Sequence, residues 1–289
     1  MRTYVITGGT DGMGKGLALR LLGRGDRVIA VASGASKGRL LLAEAERIGG
    51  ADRAVFVPAD LSTLAGMRAV LGEIATVTDS VDGVVFGAQR FRPRREETED
   101  GFEFTFALAY LSRYVLGHGL VPALERAGAP VIVNIAGPGG LPGAVHWDDL
   151  QLREGYKGIR AAMQSSRCND LLGVDFPRRH PGARTRYVLY NPGFVRTSMA
   201  DPLPRHQRIL TKALARVFAQ PVEKAILPVL RLLDRPPAEP VTAFMRGKPL
   251  PLEGEDFDPG RARRLDEVTS RLLSAGGTGA APTVAGPFG

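Results

Sequence analysis

The sequence predicts an α/β protein whose single domain is built on a doubly wound parallel sheet with helices on both faces. Three observations predict this fold. Short apolar runs alternate with segments of helical periodicity, the runs are apolar on both faces, and the first run closes in glycines. Strands buried on both faces are typical of parallel sheets, and the alternation with helices is typical of repeated βαβ units.

The elements follow one another in a regular order. The run TYVITGG predicts the first strand, and GKGLALRLLGRG then places Leu17, Ala18 and Leu21 at helical spacing before a glycine stop. Further strands are predicted at RVIAVAS, AVFVPADL, VDGVVFGA, PVIVNIAG and TRYVLYNPG. Between them, helical periodicity predicts helices over 38–48, 62–76, 101–127 and 157–176.

After Gly193 the pattern loosens into TSMADPLPRHQ, a helix-like segment 206–219, the run PVEKAILPVLRLL and a proline-rich stretch 236–251. No repeat or linker divides the chain, so residues 1–274 are predicted to form one Rossmann-type domain. Residues 275–289 have little apolar bulk to bury and are predicted to be a disordered tail.

The composition excludes several classes of protein. The chain has 289 residues, 44% of them apolar, and no run long enough to span a membrane, so we expect a soluble cytoplasmic protein. Its N-terminus, MRTYVITGG, enters a strand at once and shows no signal peptide. The net charge of +8 is spread among acidic neighbours, which indicates a solvated surface and no nucleic-acid partner.

The densest basic cluster, Arg90, Arg92, Arg94 and Arg95, is followed directly by EETED, and a role in attracting an anionic ligand stays open. A single cysteine, Cys168, cannot form an intramolecular disulfide. The four histidines have no metal-ligand spacing, so no metal site is predicted.

The segment TGGTDGMGKG joins the first strand to the first helix and carries Gly8, Gly12 and Gly14. Glycines there let the backbone turn tightly and approach a pyrophosphate, while the helix N-terminus offers unpaired N–H groups. A glycine triplet alone is weak evidence, but this position at the first strand-to-helix junction indicates a dinucleotide site. Thr10, Asp11 and Met13 of the same turn are further cofactor-binding candidates.

The end of the second strand indicates which dinucleotide binds. An acid there would hold a ribose 2′-hydroxyl and repel a 2′-phosphate, but VIAVASGASKG contains none. It offers hydroxyls and positive charge instead, from Ser33, Ser36, Lys37 and Arg39, with Lys15 as a further candidate. The pattern favours NADP(H), and the alternative is that Lys37 and Arg39 merely begin a solvated helix.

Six motifs in this order resemble the short-chain dehydrogenase/reductase family, particularly its retinol-dehydrogenase-like branch. They are TGGTDGMG, ADL, ETEDGFEFTFALAYL, VIVNIAGPGG, HWDDLQL and YNPGFVRTSM. The resemblance implies cofactor contacts at Asp60, Leu61, Gly87, Ala88, Arg167, Pro192, Gly193, Val195 and Thr197. It also implies that MADPLPRHQRILTKALARVF is a substrate lid, although a surface helix with Ile209, Leu210, Leu214 and Phe218 inward is the alternative.

The family's catalytic asparagine, serine, tyrosine and lysine are absent from this chain. Their positions are occupied by Ala109, Gly137 (or its neighbour Ala136), Met163 and Arg167. The usual Asn-Ala-Gly after the fourth strand has become Gly87, Ala88 and Gln89. Tyr156 could be the acid only if the register moved seven residues, about 10.5 Å along a helix, so a packing role is the favoured interpretation.

In the family, the tyrosine protonates the carbonyl oxygen, the lysine lowers the pKa of that tyrosine and holds the ribose, and the serine binds the oxygen. Methionine has no proton to give, whereas Arg167 keeps a positive charge for the ribose or for a developing oxyanion. A ketone whose oxygen already accepts a hydrogen bond from a neighbouring phenol needs the missing acid least.

The resemblance therefore predicts an atypical NADPH-dependent ketoreductase that acts on a polycyclic aromatic polyketide in antibiotic tailoring, similar to angucyclinone ketoreductases that lack the tetrad. Two alternatives stay open: a non-catalytic NADP-binding protein, and a non-redox cyclase or dehydratase on the same fold. The resemblance also makes a homo-oligomer through the fourth and fifth helices possible.

Candidate pocket residues lie in loops at the carboxyl ends of the predicted strands, where such sheets bind ligands. Each could instead be a loop anchor or a core residue, and a structural role is favoured for His146. They are Phe86, Gln89, Phe91, His146, Trp147, Tyr156, Met163, Phe194 and Met199.

Overall fold

The structure is a computed structural model that describes residues 1–140, 142–195 and 220–275. One sheet of eight strands runs in the order β3-β2-β1-β4-β5-β6-β7-β8. The first seven strands pair in parallel, and β8 pairs antiparallel to β7. The strands are β1 (Thr3–Thr7), β2 (Arg27–Ala32), β3 (Ala54–Pro58), β4 (Gly83–Phe86), β5 (Val131–Ile135), β6 (Arg186–Asn191), β7 (Val241–Met245) and β8 (Lys248–Leu250). The predicted doubly wound fold is confirmed.

Helices cover both faces of this sheet. They are α1 (Gly12–Gly23), α2 (Ala35–Arg47), α3 (Leu64–Val77), a composite α4 over 104–119, the short α5 (Val121–Leu124), α6 (Gly158–Arg179), α7 (Val222–Ala225), α8 (Leu227–Asp234) and α9 (Pro259–Ser274). Short 3-10 turns lie at Ala51–Arg53 and Glu255–Phe257.

Two hydrophobic cores lie on opposite faces of the sheet, because neighbouring residues of a strand point to opposite sides. In β1, Val5 belongs to one core, whereas Tyr4 and Ile6 belong to the other. Helices α3, α4 and α6 cover the face of Val5, and α1, α2 and α8 cover the opposite face. Burial on both faces explains why the strands are apolar throughout.

The composite α4 departs from the single helix predicted over 101–127. It begins as an α-helix at Phe104–Phe106, passes through a π-helical turn at Ala107–Leu111, and continues as an α-helix over Ser112–Gly119. The carboxylate of Glu103 caps its start by accepting from the backbone N–H groups of Thr105, at 2.8 Å, and Phe106, at 2.6 Å. π-turns inside α-helices are rare and frequent at functional sites.

The proline-rich stretch 236–251 contains two strands that the sequence did not predict. Arg246 and Gly247 both have positive φ, 51° and 81°, and form the two-residue turn that joins β7 to β8. Helix α9 packs on α6 and was also not predicted. The segment 206–219 that was read as helix-like and the tail beyond residue 275 lie outside the described residues. Within the described ranges, no helix is both long enough and apolar enough to cross a membrane.

Candidate active site

The turn between β1 and α1 has the geometry of a pyrophosphate cradle. Gly8 and Gly12 have positive φ, 70° and 49°, and a Cβ on Gly14 would collide with the carbonyl oxygen of Gly8. Asp11 caps α1, since its Oδ1 accepts from the backbone N–H of Gly12 at 2.7 Å. Only glycine permits this backbone, so these residues fit the phosphates of a dinucleotide.

The cradle faces the crevice between β1 and β4, where the strand order reverses. The Thr7 Oγ1 accepts from the backbone N–H groups of Gly87, at 3.1 Å, and Ala88, at 3.2 Å. A Cβ on Gly8 would lie 3.0 Å from backbone atoms of both of these residues. Ligands of open α/β sheets bind at such a reversal, so Gly8, Gly87 and Ala88 meet where the nicotinamide end of a cofactor would lie.

Polar and charged side chains surround the expected adenosine end. Ser33, Lys37 and Arg39 are exposed at the start of α2, and the Lys37 ammonium forms an ion pair with Asp11 Oδ2. Lys15 has a protein partner, since its Nζ is 2.6 Å from Glu44 Oε1.

After β3, the Asp60 Oδ1 accepts from the backbone N–H of Ser62 at 2.9 Å and from its hydroxyl at 2.7 Å. Leu61 is buried beside it. Asp60 is therefore a fixed acid at the end where adenine is expected. Among the described residues, the carboxylate that pairs with Lys37 comes from the phosphate turn and not from β2.

The four tetrad positions come together at the carboxyl ends of β4 and β5, against α6. Arg167 Nη2 donates to the carbonyl oxygen of Gly137 at 2.8 Å, and Asn169 Nδ2 donates to that of Ala109 at 2.8 Å. The backbone of the loop after β5 passes so close to Met163 that a Cβ on Gly143 would lie 2.8 Å from the Met163 Cβ. The positions are assembled, but no tyrosine or lysine stands at any of them.

The guanidinium of Arg167 is already occupied by protein groups. Its Nη1 donates to Asp256 Oδ2 at 2.6 Å, and its Nη2 also donates to Ser166 Oγ at 3.1 Å. Asp170 Oδ2 lies 3.0 Å from Nη2, yet both of its oxygens lack a hydrogen-bond donor. Burial raises the pKa of Asp170 to about 8, against the opposing effect of Arg167. Asp256 therefore pairs with the Arg167 charge, while burial disfavours the charged form of Asp170.

A second arginine, Arg113, lies beneath this site without a carboxylate partner. It is 2% exposed, and it donates to the backbone oxygens of Ile135 at 2.8 Å and Ala88 at 3.3 Å, and to the side chain of Asn134. No ion pair to it occurs within the described ranges, and burial lowers its pKa to about 10. This side chain ties together the ends of the two strands that form the site floor.

Asn134 and Asn169 extend that network across the site. Asn134 Nδ2 donates to Asn169 Oδ1 and to the Tyr187 hydroxyl, each at 2.9 Å. Asn169 thus links β5 to the π-turn of α4, where it holds the Ala109 carbonyl. The side-chain amide of Asn169, on α6, therefore holds the turn at Ala109, the position where the family has its catalytic asparagine.

The hydroxyl of Tyr156 donates its hydrogen to protein acceptors, so it is not poised as a general acid. Its hydroxyl donates to the carbonyl oxygen of Arg92 at 3.1 Å and to Glu103 Oε1 at 3.3 Å. Burial raises the pKa of Tyr156 above its ordinary value. The arrangement is that of a packing residue at the start of α6, which is the interpretation favoured from the sequence.

The remaining pocket candidates differ in their exposure and in their protein partners. His146 accepts from Arg160 Nε at 2.9 Å, and burial together with the Arg160 charge lowers its pKa. Trp147 lies under two guanidinium groups, of which that of Arg264 is 4.5 Å from the ring centroid. Both side chains are therefore held by protein partners. Gln89 and Phe194 are exposed, Phe91 is half-buried, and Met199 lies outside the described residues.

The turn after β6 keeps the form expected for a nicotinamide seat. Gly193 has a φ of 72°, and its N–H donates to Asn191 Oδ1 at 2.8 Å. Gln220 Nε2 donates to the Pro192 carbonyl oxygen at 2.7 Å, and Val195 pairs with Gln220 in an isolated bridge. Thr197 lies outside the described residues.

Five residues of this site were not singled out from the sequence: Arg113, Ser166, Asn169, Asp170 and Asp256. Helical spacing could have indicated two of them, because Ser166 and Asp170 lie three and seven residues after Met163 and share its face of α6. Asp256 lies far away in the sequence and gave no such signal. Groups of histidine, cysteine and acidic side chains fit to bind a metal do not occur in the part of the chain that the structure describes.

Comparisons with known proteins agree with this geometry. The family model described as short chain dehydrogenase matches residues 2–148. Retinol dehydrogenase 14 of Homo sapiens is 27% identical over 292 aligned residues, 94% of this chain and 86% of that protein. Polyprenol dehydrogenase of Mus musculus is 30% identical and covers 96% of this chain, with 85% of its own length matched.

Solved structures agree at the level of fold. An uncharacterized protein from Mycobacterium Paratuberculosis superposes with a TM-score of 0.66 at 22% identity, over 95% of this chain and 94% of that one. A short-chain dehydrogenase/reductase from Serratia marcescens BCRC 10948 gives a TM-score of 0.63 at 17% identity, over 85% and 97%.

Proposed function

The chain belongs to the short-chain dehydrogenase family, and from this premise we propose that it is an atypical NADPH-dependent ketoreductase acting on a polycyclic aromatic ketone. The single observation that carries the proposal is a glycine turn with the backbone form of a pyrophosphate cradle, beside tetrad positions that carry no tyrosine or lysine. The glycine turn at Gly8, Gly12 and Gly14 and the turn at Gly193 keep the backbone forms that a dinucleotide needs. When bound, a reduced nicotinamide supplies hydride.

The protein's own residues can position a ketone, but the residue at the family's tyrosine position, Met163, cannot protonate it. Met163 carries a thioether without a hydrogen to donate. The loss of one acid typically lowers a rate by about 10²–10⁴, whereas positioning alone supplies roughly 7–11 kcal/mol. A bound ketone can therefore still react if it brings its own donor. Aromatic polyketides with a phenol next to the ketone have that donor, which supports this substrate class.

The preference for NADP(H) is supported by the charges at the start of α2. Lys37 is the cation nearest the carboxylate of the phosphate turn, and Ser33 and Arg39 are exposed beside it. No acid lies in the segment from β2 to the first turn of α2. A 2′-phosphate would give Lys37 a doubly charged partner in place of Asp11.

The experiment follows NADPH oxidation with an angucyclinone-type ketone that carries a phenol next to its carbonyl, and with the methyl ether of the same phenol. We expect turnover of the phenol and a loss of at least about tenfold for the ether, since one acid contributes about 10²–10⁴. No oxidation with any such ketone, in the presence of demonstrated NADPH binding, would contradict the proposal.

The Arg167–Asp256 ion pair favours a second candidate function, because Arg167, the cation at the family's lysine position, already has a protein partner. In this candidate the protein binds NADPH without turning over a substrate. Calorimetry would then detect NADPH binding, while labelled cofactor would transfer no hydrogen to any aromatic ketone of the series.

A further inference from the structure

Gly137 has a space beside it that a neighbouring hydroxyl fills. Gly137 follows β5 at the position where the family has its serine. A Cβ built on Gly137 would lie 2.6 Å from Ser166 Oγ and 3.6 Å from Ser166 Cβ, and among the described residues, its two chain neighbours aside, it would meet no other atom within 4 Å. Cβ atoms do not approach other atoms within 3.0 Å, so a side chain at residue 137 and the Ser166 hydroxyl would compete for one space.

Helix α6 presents Ser166 to the site together with Met163 and Arg167, which occupy two of the tetrad positions. Met163, Ser166, Arg167 and Asp170 follow one another at helical spacing on one face. Ser166 is half-buried, whereas Arg167 is 5% exposed. The hydroxyl is therefore the more accessible polar group of this face.

The hydrogen bonds of Ser166 leave its own hydrogen available. Its Oγ accepts from Arg167 Nη2 at 3.1 Å, and the same nitrogen donates to the Gly137 carbonyl oxygen at 2.8 Å. No acceptor for the Ser166 hydroxyl hydrogen is found within residues 1–140, 142–195 and 220–275. A hydroxyl that accepts from a cation is polarised and becomes a stronger donor. Its natural partner is a ligand oxygen without hydrogens, such as a carbonyl.

We propose that Ser166 is a catalytic residue of this site and that its Oγ–H donates a hydrogen bond to the carbonyl oxygen of the bound ketone. The inference rests on the proposed ketoreductase function and deepens it. The hydroxyl reaches from α6 the space that the tetrad serine would reach from the loop after β5.

The reaction balances without a proton from Ser166. The carbonyl carbon gains a hydride, and the carbonyl oxygen gains the carbon–oxygen π pair and then one proton. That proton comes from the neighbouring phenol of the substrate, which becomes a phenolate. Ser166 keeps its hydrogen and stabilises the negative charge that develops on the oxygen.

The test compares Ser166→Ala with a matched control, Ser165→Ala, in the full-length chain. Ser165 is the preceding residue of α6, and its buried hydroxyl has no hydrogen-bond partner in the part of the chain that the structure describes. We expect Ser166→Ala to lower kcat about 10²–10³-fold, the usual effect of removing one oxyanion donor. Ser165→Ala should keep the wild-type rate, and all variants should bind NADPH alike.

A variant that moves the hydroxyl from residue 166 to residue 137 distinguishes the loss of the hydroxyl from a disturbance of helix α6. In Gly137→Ser alone, the new side chain meets Ser166 Oγ, so activity should fall. In Gly137→Ser with Ser166→Ala, the hydroxyl returns from the other side of the same space, and we expect at least a tenfold recovery over Ser166→Ala. Full activity of Ser166→Ala, or no recovery in a folded double variant that binds NADPH, would overturn the proposal.

The carbonyl stretching frequency of the bound ketone tests the role of Ser166 independently of whether the ketone is reduced. With the ¹³C-labelled ketone bound to the NADP⁺ complex, a hydrogen bond from Ser166 lowers the carbonyl stretching frequency relative to Ser166→Ala. If the wild type shows this shift without turnover, the ketoreductase proposal fails and the contact stands. If turnover occurs and the frequencies are equal, the role of Ser166 fails and the ketoreductase proposal stands.

Discussion

Arg167 Nη1 lies 2.6 Å from Asp256 Oδ2, so the cation at the family's lysine position is paired with an acid from the 3-10 turn before α9. Arg167 is 5% exposed. We expect Asp256→Asn and Arg167→Met each to lower the free energy of unfolding. The double variant should lose about 1.5–3 kcal/mol less free energy of unfolding than the two single variants lose together. This difference is the usual strength of a hydrogen bond to a charged group.

A denaturant double-mutant cycle measures this coupling. Glu255→Gln is the matched control, because the Glu255 side chain is exposed and pairs with Arg261 instead. Strictly additive effects for Arg167 and Asp256 would contradict the ion pair.

Asp170 makes stability depend on pH in a direction unusual for an acid. Burial raises its pKa to about 8, while an unfolded aspartate titrates near about 3.9. Between these values Asp170 holds a proton in the folded state that it has lost in the unfolded state, so its contribution to the free energy of unfolding falls as pH rises. The slope reaches about 1.4 kcal/mol per pH unit.

Urea unfolding from pH 5 to pH 8 tests this behaviour. Asp170→Asn should make the slope more positive than that of the wild type, in which buried His118 gives an opposite contribution, whereas Asp148→Asn, at an exposed carboxylate, should leave the slope unchanged. Parallel curves for the wild type and Asp170→Asn would show that Asp170 is ionised in the folded protein.

Lys37 and Asp11 should affect cofactor choice in opposite directions. Lys37→Met should weaken NADPH binding by about tenfold or more, because a charge-assisted contact contributes about 1.5–3 kcal/mol, and it should leave NADH binding unchanged. Asp11→Asn keeps a side chain that can cap α1 and removes the competing charge. It should tighten NADPH binding a few-fold, since an exposed pair is worth about 0.2–1 kcal/mol.

Calorimetric titration of each variant with both cofactors measures these effects. Lys15→Met serves as the control, because Lys15 pairs with Glu44. A variant at Lys37 that weakens NADH and NADPH equally would mean that the lysine does not read the 2′-phosphate.

Tyr156 is expected to matter for folding and not for turnover. Its hydroxyl donates to Arg92 and Glu103, so Tyr156→Phe should lower the free energy of unfolding by about 0.5–1.5 kcal/mol. Its kcat should stay within about twofold of the wild type, because an acid would contribute about 10²–10⁴. Steady-state rates and urea unfolding of the same preparation separate the two effects, and a hundredfold loss in kcat would make Tyr156 the acid.

The sequence was sufficient for the parts of the fold that follow a regular pattern. Strands β1 to β6 are apolar on both faces, and the glycines at 8, 12 and 14 mark the turn after β1. Strands β7 and β8 were missed because prolines flank and interrupt them, and Pro249 is tolerated only since β8 lies at the sheet edge. The π-turn around Ala109 was missed because its residues fit an ordinary helix.

The polar contacts of the site depend on distant parts of the chain. Helical spacing places Ser166 on the same face of α6 as Met163, but its contact with Gly137, 29 positions earlier in the chain, gave no signal in the sequence. Asp256 and Arg167 are 89 residues apart. Such pairs are created by tertiary packing, and no periodicity within one segment could have indicated them.

The most direct measurement is a single turnover with NADPH that carries deuterium at both C4 positions of the nicotinamide and with the phenol-bearing aromatic ketone, analysed by mass spectrometry of the product. A cradle that orients its cofactor next to the ketone should give an alcohol with one deuterium on the former carbonyl carbon, in the wild type and in Tyr156→Phe alike. An unlabelled ketone recovered from protein saturated with the cofactor would contradict reduction by this site.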